Sequence, residues 1–213
     1  MARTPWNGET RLLRIGLRGY DVERSERPPA NLVFLVDVSG SMMEPDKLPL
    51  VQCSLALLAE RLTPRDRVSI VGYAGNAGLV LEPTYDKEKV VAALARLEAD
   101  GSTAGGQGIE LAYRFAERNR MEGGINRIFL ATDGDFNVGV TDIRALIGMV
   151  ERERDTGITL TTLGFGSGNY NDAMMEQIAD HANGNHAYID NPREAQKVLE
   201  EELSSTLFTS PRT

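Results

Sequence analysis

Cysteine is nearly absent from this sequence: Cys53 stands alone in 213 residues. A single cysteine excludes an internal disulfide framework and a thiolate zinc cluster. Flanked by Leu50, Val51, Leu55 and Ala56, it is expected to be a small buried residue. Histidine is almost as scarce. Neither His181 nor His186 has a second histidine at metal-ligand spacing, so both read as sheet or surface side chains. No apolar run approaches the roughly 18 residues that cross a bilayer, and Met1 to Glu9 is too polar for a signal peptide, so this segment is not expected to insert into a membrane. Basic residues are in deficit, 23 against 31 acidic ones, for a net charge of -8. That balance repels nucleic acid and anionic membrane surfaces and attracts cations.

Nucleotide and hydrolase signatures are missing as well. Gly164-Phe165-Gly166-Ser167-Gly168 lacks the glycine spacing of a dinucleotide fingerprint, and no lysine follows it to make a phosphate loop. A loop at a strand end is the better reading. Ser39 and Ser41 lack the flanking glycines of a nucleophile elbow, and no histidine has a triad-like context.

What is present is an ordinary globular composition, 41% hydrophobic and 25% charged, in a chain long enough for one well-filled core. Short, continuously apolar runs at Asn31 to Val36 and Ile128 to Thr132 indicate strands covered on both faces. Further strands are expected at Asp66 to Tyr73, Ile158 to Leu163 and His186 to Ile189, with Leu79-Val80-Leu81 as a hairpin return. Helical spacing appears at Leu48/Val51/Leu55/Leu58/Leu62, with Pro49 in its first turn, at Val90/Val91/Leu94/Leu97 and at Ile109/Leu111/Ala112/Phe115. It recurs at Ile143/Leu146/Ile147/Val150 and Met174/Met175/Ile178, and again from Pro192 through Val198 and Leu203. Alternating strands and helices predict an α/β fold: a doubly wound, mostly parallel central sheet with helices on both faces and one antiparallel edge strand. Residues 1–30 are expected to form an extension, with an edge strand at Arg11 to Arg18 (Leu13, Ile15 and Leu17 on one face) and a linker containing Pro28-Pro29. The domain should cover 31–207, leaving 208–213 as a tail.

Two of the buried strands end in aspartate. Asp37-Val38-Ser39-Gly40-Ser41 follows the first, and Thr132-Asp133-Gly134 closes the other. Ligands of open parallel sheets bind beyond the carboxyl ends of the strands, where the strand order reverses. If the loops meet there, Asp37, Ser39, Ser41, Thr103 and Asp133 offer two carboxylates and three hydroxyls, the oxygen set that a hard divalent cation requires. A helix N-cap needs only one such residue, so capping does not account for the trio at Asp37, Ser39 and Ser41. Asp133, Asp135 and Asn137 mimic the start of an EF-hand loop. The sixth position, however, is Val138 and the twelfth is Arg144, which excludes it. Asp135 can then act on the site only electrostatically.

From about Asn31 to Leu203 the order and spacing of these elements resemble the von Willebrand factor type A domains that carry a metal-ion-dependent adhesion site. The Ser102-Thr103-Ala104-Gly105-Gly106 loop and the Ala131 to Asn137 turn resemble bacterial members related to calcium-activated chloride-channel-like proteins. The resemblance implies Mg²⁺, with Mn²⁺ or Ca²⁺ as substitutes, on Asp37, Ser39, Ser41, Thr103 and Asp133. It also implies a non-enzymatic, monomeric module whose metal accepts an Asp or Glu carboxylate from a protein partner. An extracytoplasmic part of an anchored or secreted bacterial protein is favoured over a cytoplasmic one. Two alternatives stay open. One is a metal-dependent phosphotransferase or hydrolase with Asp37 as nucleophile. That chemistry normally needs a second acid two residues on, where Ser39 stands, and a base or phosphate-gripping lysine, which no residue near the motif supplies. The other is a purely structural metal.

Overall fold

A strand without polar alternation needs apolar cover on both faces, and the arrangement of this chain follows from meeting that need at its centre. The computed structural model describes residues 2–4, 7–12, 27–102, 105–134, 143–166 and 172–202. Strands β1 (Ala2–Thr4) and β2 (Asn7–Leu12) pair with each other in a two-stranded antiparallel sheet. Of the edge strand expected at Arg11 to Arg18, only Arg11 and Leu12 are described, and they end β2; the remainder lies outside the described residues. The central strand is β3 (Ala30–Asp37), buried at every position. It is flanked in parallel by β4 (Arg67–Tyr73) on one side and by β6 (Ile125–Thr132) on the other. Between those two in sequence, β5 (Ala77–Thr84) turns back antiparallel against β4 and closes that edge, as the hairpin signal predicts. Strands β7 (Ile158–Phe165) and β8 (His186–Ile189) extend the parallel run beyond β6. The strand order β5-β4-β3-β6-β7-β8 therefore reverses between β3 and β6. A crevice is expected at their carboxyl ends.

Alternation along β3 feeds two cores. Leu32, Phe34 and Val36 point into a layer with helices α1 (Leu48–Glu60) and α2 (Lys87–Leu94). Val33 and Leu35 point to the opposite face, against α3 (Gly105–Arg118), α4 (Ile143–Arg154) and α5 (Asp172–His181). Helix α6 (Pro192–Gln196), which continues as a π-helical turn over Lys197–Glu202, joins the first layer through Ala195, Val198 and Leu199. The rings of Phe34 and Phe129 meet edge to face at 6.0 Å, which locks β3 to β6 inside that layer.

Cys53 is exposed, contrary to the buried position expected for it. Val51, Leu55 and Leu58 form the sheet-facing stripe of α1. At about 100° per residue Cys53 turns roughly 200° away from Val51, toward solvent. Val51 and Leu55, two residues to either side of it, lie on the other face.

The incoming segment is fastened from below. Arg27 and Asp66 form a buried ion pair, their side chains 3% and 0% exposed. Asp66 also accepts from Ala30 N at 3.0 Å and from Thr63 N and Oγ1 at 2.6 and 2.8 Å. Asp66 thus anchors the start of β3 instead of beginning β4. Removing one partner of a buried pair leaves the other charge uncompensated, at a cost of about 3–5 kcal/mol. Asp66→Ala should lower the unfolding free energy by about that much in urea titrations. A loss below ~1 kcal/mol would show that this contact does not fasten the segment.

Candidate metal centre

Asp37 is the last residue of β3, and its side chain has no solvent exposure. The β3–β6 register sets Val36 beside Ala131, so the next residues, Asp37 and Thr132, stand level at the switch point. Thr132 Oγ1 donates to Asp37 Oδ2 at 3.0 Å and accepts from Gly134 N at 3.0 Å. On the other carboxylate oxygen, Asp37 Oδ1 accepts the backbone N–H of Ser39 at 2.9 Å. The chain then enters a 3-10 turn at Gly40–Met43, in which Ser39 Oγ and Ser41 Oγ approach to 3.0 Å. Asp133, 8% exposed, follows Thr132 over the same crevice.

The third loop is held against this turn by backbone bonds. Asp100 N donates to Val38 O at 2.8 Å, and Gly40 N donates to Gly101 O at 2.9 Å. These bonds bring the residues just ahead of Thr103 to the motif. Thr103 itself, with Asp135, Asn137 and Val138, lies outside the described residues. Below the site, α3 runs close to β4 because Gly108 has no side chain. A Cβ there would fall 2.8–3.0 Å from Tyr73 Cγ, Cδ1 and Cβ. Larger residues at 108 would push the start of α3 off the sheet.

Sequence reasoning singled out Asp37, Ser39, Ser41 and Asp133, and the structure brings all four to one end of the sheet. It missed three neighbours. Tyr73 stands opposite Asp37 in the β3–β4 register, a position readable only once the strands are paired. Thr132 could have been found, since a hydroxyl directly before a strand-terminal aspartate points back into the sheet. Lys47 is a correction. No lysine was expected near the motif, yet Lys47 Nζ donates to Asp133 Oδ2 at 2.9 Å and to Ser41 O at 2.9 Å. The chain folds back between Glu44 and Lys47, where Lys47 N bonds Glu44 O at 3.0 Å, and this returns the lysine to the turn it has just left. For the histidines the expectations hold: His186, on β8, bonds Thr162 and Asp172, and His181 bonds Glu151.

The donors are all oxygens. Among the described residues no three His, Cys, Asp or Glu side chains gather in one place, so any ion held here would draw on hydroxyls beside its two carboxylates. The two Asp37 oxygens accept from the Ser39 amide and the Thr132 hydroxyl, and both face the crevice end of the strand. The Ser39 and Ser41 hydroxyls converge beside it. Such a set fits Mg²⁺, Mn²⁺ or Ca²⁺ and does not fit a soft ion.

Burial pushes the Asp37 carboxyl up from its ordinary 3.8 to about 6; bonds from Ser39 and Thr132 pull the other way, and the nearby Asp133 charge adds to the rise. Burial also raises the Tyr73 phenol well above its ordinary value, with the Asp37 charge reinforcing it. Between about pH 3.8 and 6 the folded chain therefore holds a proton on Asp37 that the unfolded chain has released. Folding stability from this group is present at low pH and falls as pH rises through that window. In chelator, the stability of wild type relative to Asp37→Asn should decline from pH 4 to pH 6.5, as read from urea midpoints. A difference independent of pH would contradict the assignment.

Residues 31–202 match the von Willebrand factor type A domain family. Over 211 residues the chain is 48% identical to the uncharacterized protein YfbK of Escherichia coli, covering 98% of this chain and 37% of that protein. The chain thus spans well under half the length of that relative. Among solved structures it resembles the conserved hypothetical protein BatB from Bacteroides thetaiotaomicron, with a TM-score of 0.70 at 22% identity, covering 84% of this chain and 99% of that one. It also resembles proximal thread matrix protein 1 from the mussel byssus, solved with a zinc-occupied MIDAS motif, with a TM-score of 0.67 at 20% identity over 85% and 46% of the two chains. These two likenesses concern the fold. With the family match covering most of its length, the chain belongs to the von Willebrand factor type A family.

Proposed function

We propose that this chain is a divalent-metal-dependent protein-binding module, in which Asp37, Ser39, Ser41, Thr103 and Asp133 hold Mg²⁺ and a partner's Asp or Glu completes the shell. The observation that carries the reading is the convergence of a fully buried carboxylate, Asp37, with the Ser39–Ser41 hydroxyl pair at the point where the strand order reverses. A buried carboxylate is costly unless hydrogen bonds and a cation offset its charge. The family is known for metal-dependent protein binding, and the mussel relative takes zinc at its own site. When bound, the ion supplies a positively charged position that an external carboxylate can occupy. Mn²⁺ and Ca²⁺ are the natural substitutes.

The chain's residues divide the remaining work. Thr132 and the Ser39 amide fix the plane of the Asp37 carboxylate, and the glycines at 40 and 101 let two loops approach closely enough to share one ion. Met43, at 63% exposure on the 3-10 turn, gives the partner an apolar contact beside the charged one. We further propose that the domain runs over 31–207 and acts as a monomeric unit within a longer bacterial protein. No described helix is long and apolar enough to cross a membrane. An extracytoplasmic setting is the proposed one, with any anchor supplied by other parts of that protein.

Lys47 gives the phosphotransferase alternative a cation it otherwise lacked. The alternative still has Ser39 where a second acid would stand, and its nucleophile would be an aspartate without solvent access, both of whose oxygens already accept hydrogen bonds. The module is therefore proposed as non-enzymatic.

Loss of an outer partner of a metal ligand typically costs 10–100-fold in affinity, so loss of a direct ligand should cost about a hundredfold or more. Titration calorimetry with MgCl₂ should accordingly show binding to wild type and none to Asp37→Ala or Asp133→Ala. Capture of a partner by wild type should require Mg²⁺ and fail with Asp37→Ala. If Mg²⁺ raises the unfolding midpoint but no Asp- or Glu-bearing peptide binds, the ion is structural and the proposal is wrong.

A further inference from the structure

Lys47 precedes α1 and carries its ammonium into the crevice. Its side chain is 18% exposed, and the Asp133 side chain it bonds is 7% exposed. The aliphatic stem lies over Gly166, at the end of β7, where an added Cβ would fall 2.7 Å from Lys47 Cγ and Cε. Gly166 holds φ at +86°, a conformation that glycine adopts without strain. The groove is therefore shaped to the lysine: a bare glycine beneath the stem, the Ser41 carbonyl and an Asp133 oxygen at its end. This is more contact than a surface lysine makes.

We infer that Lys47 is a built-in cation that competes with the divalent ion for Asp133 and so sets the metal affinity of the site. The inference rests on the metal-binding reading above and specifies how that site is tuned. Its logic is electrostatic. The ammonium bonds Asp133 Oδ2 directly, in a part-buried pair that mobile salt screens less than a fully exposed one. A divalent ion drawing on the same carboxylate brings positive charge against the ammonium at contact distance, so the two cations disfavour each other's occupancy. Lysine suits the role because its charge is compact and its stem flexible, allowing the head to swing off Asp133 without unfolding the loop.

The test is Lys47→Met, which keeps the stem and removes the charge, titrated with MgCl₂ and MnCl₂ by calorimetry in the full 213-residue chain. A hydrogen bond to a charged group is worth enough to shift affinity by about ten- to a hundredfold. Lys47→Met should bind both ions about tenfold or more tightly than wild type, and adding Asp37→Ala should abolish binding in either background. Mg²⁺ should also raise the thermal midpoint of Lys47→Met by more than that of wild type, and circular dichroism in chelator shows whether both are folded. Asp37-dependent binding that is equal or weaker in Lys47→Met would overturn the inference and leave the metal reading standing. Absence of binding in wild type and Lys47→Met alike would overturn the metal reading itself, and this inference with it.

Discussion

A carboxylate with no solvent of its own, at the end of the central strand, is the constraint to which the rest of the site conforms. Asp37 is fully buried because β3 is the middle strand of the sheet and α3 covers its carboxyl end. Its charge must be offset locally or given up, and the chain takes part of each course. The Ser39 amide and the Thr132 hydroxyl stabilise the anion, while burial and the neighbouring Asp133 push its carboxyl up to about 6. A cation would offset the charge left in this balance, which is the physical basis of the proposed metal binding.

The fold delivers that acid to the right place through topology alone. After β3 the chain builds β4 and β5 on one side, then crosses by α3 to β6 on the other. Three loops are thus gathered over one gap between β3 and β6, and backbone bonds from Asp100 N to Val38 O and from Gly40 N to Gly101 O cinch two of them together. The third brings Asp133. Lys47 bridges the motif turn to Asp133, so the centre joins segments far apart in sequence, and its charge state bears on how those segments pack.

Much of this was legible in the sequence, for identifiable reasons. Continuous apolarity at Asn31 to Val36 and Ile128 to Thr132 marked the buried parallel strands, because only two-sided burial removes alternation. Aspartates at the ends of two such strands marked the site, because ligands of open parallel sheets bind beyond the carboxyl ends of the strands. The failures are equally physical. Cys53 was misplaced because its sequence neighbours are apolar, whereas burial on α1 depends on angle around the helix. Lys47 and Tyr73 were missed because their proximity to the motif is created by a fold-back and by strand register, neither of which leaves a periodic trace. The Thr103 hydroxyl, singled out in the sequence, lies outside the described residues.

The central claim is that Asp37, the serine pair and Asp133 surround one divalent ion. Anomalous diffraction from crystals grown with Mn²⁺ tests it most directly, since the scattering locates the ion independently of any refined atom. The account predicts a single strong peak among Asp37, Ser39, Ser41 and Asp133, with direct oxygen ligands at roughly 2.1 Å and the Lys47 ammonium withdrawn from Asp133. A crystal saturated with Mn²⁺ that shows no peak there, with Lys47 still bonded to Asp133, would contradict it.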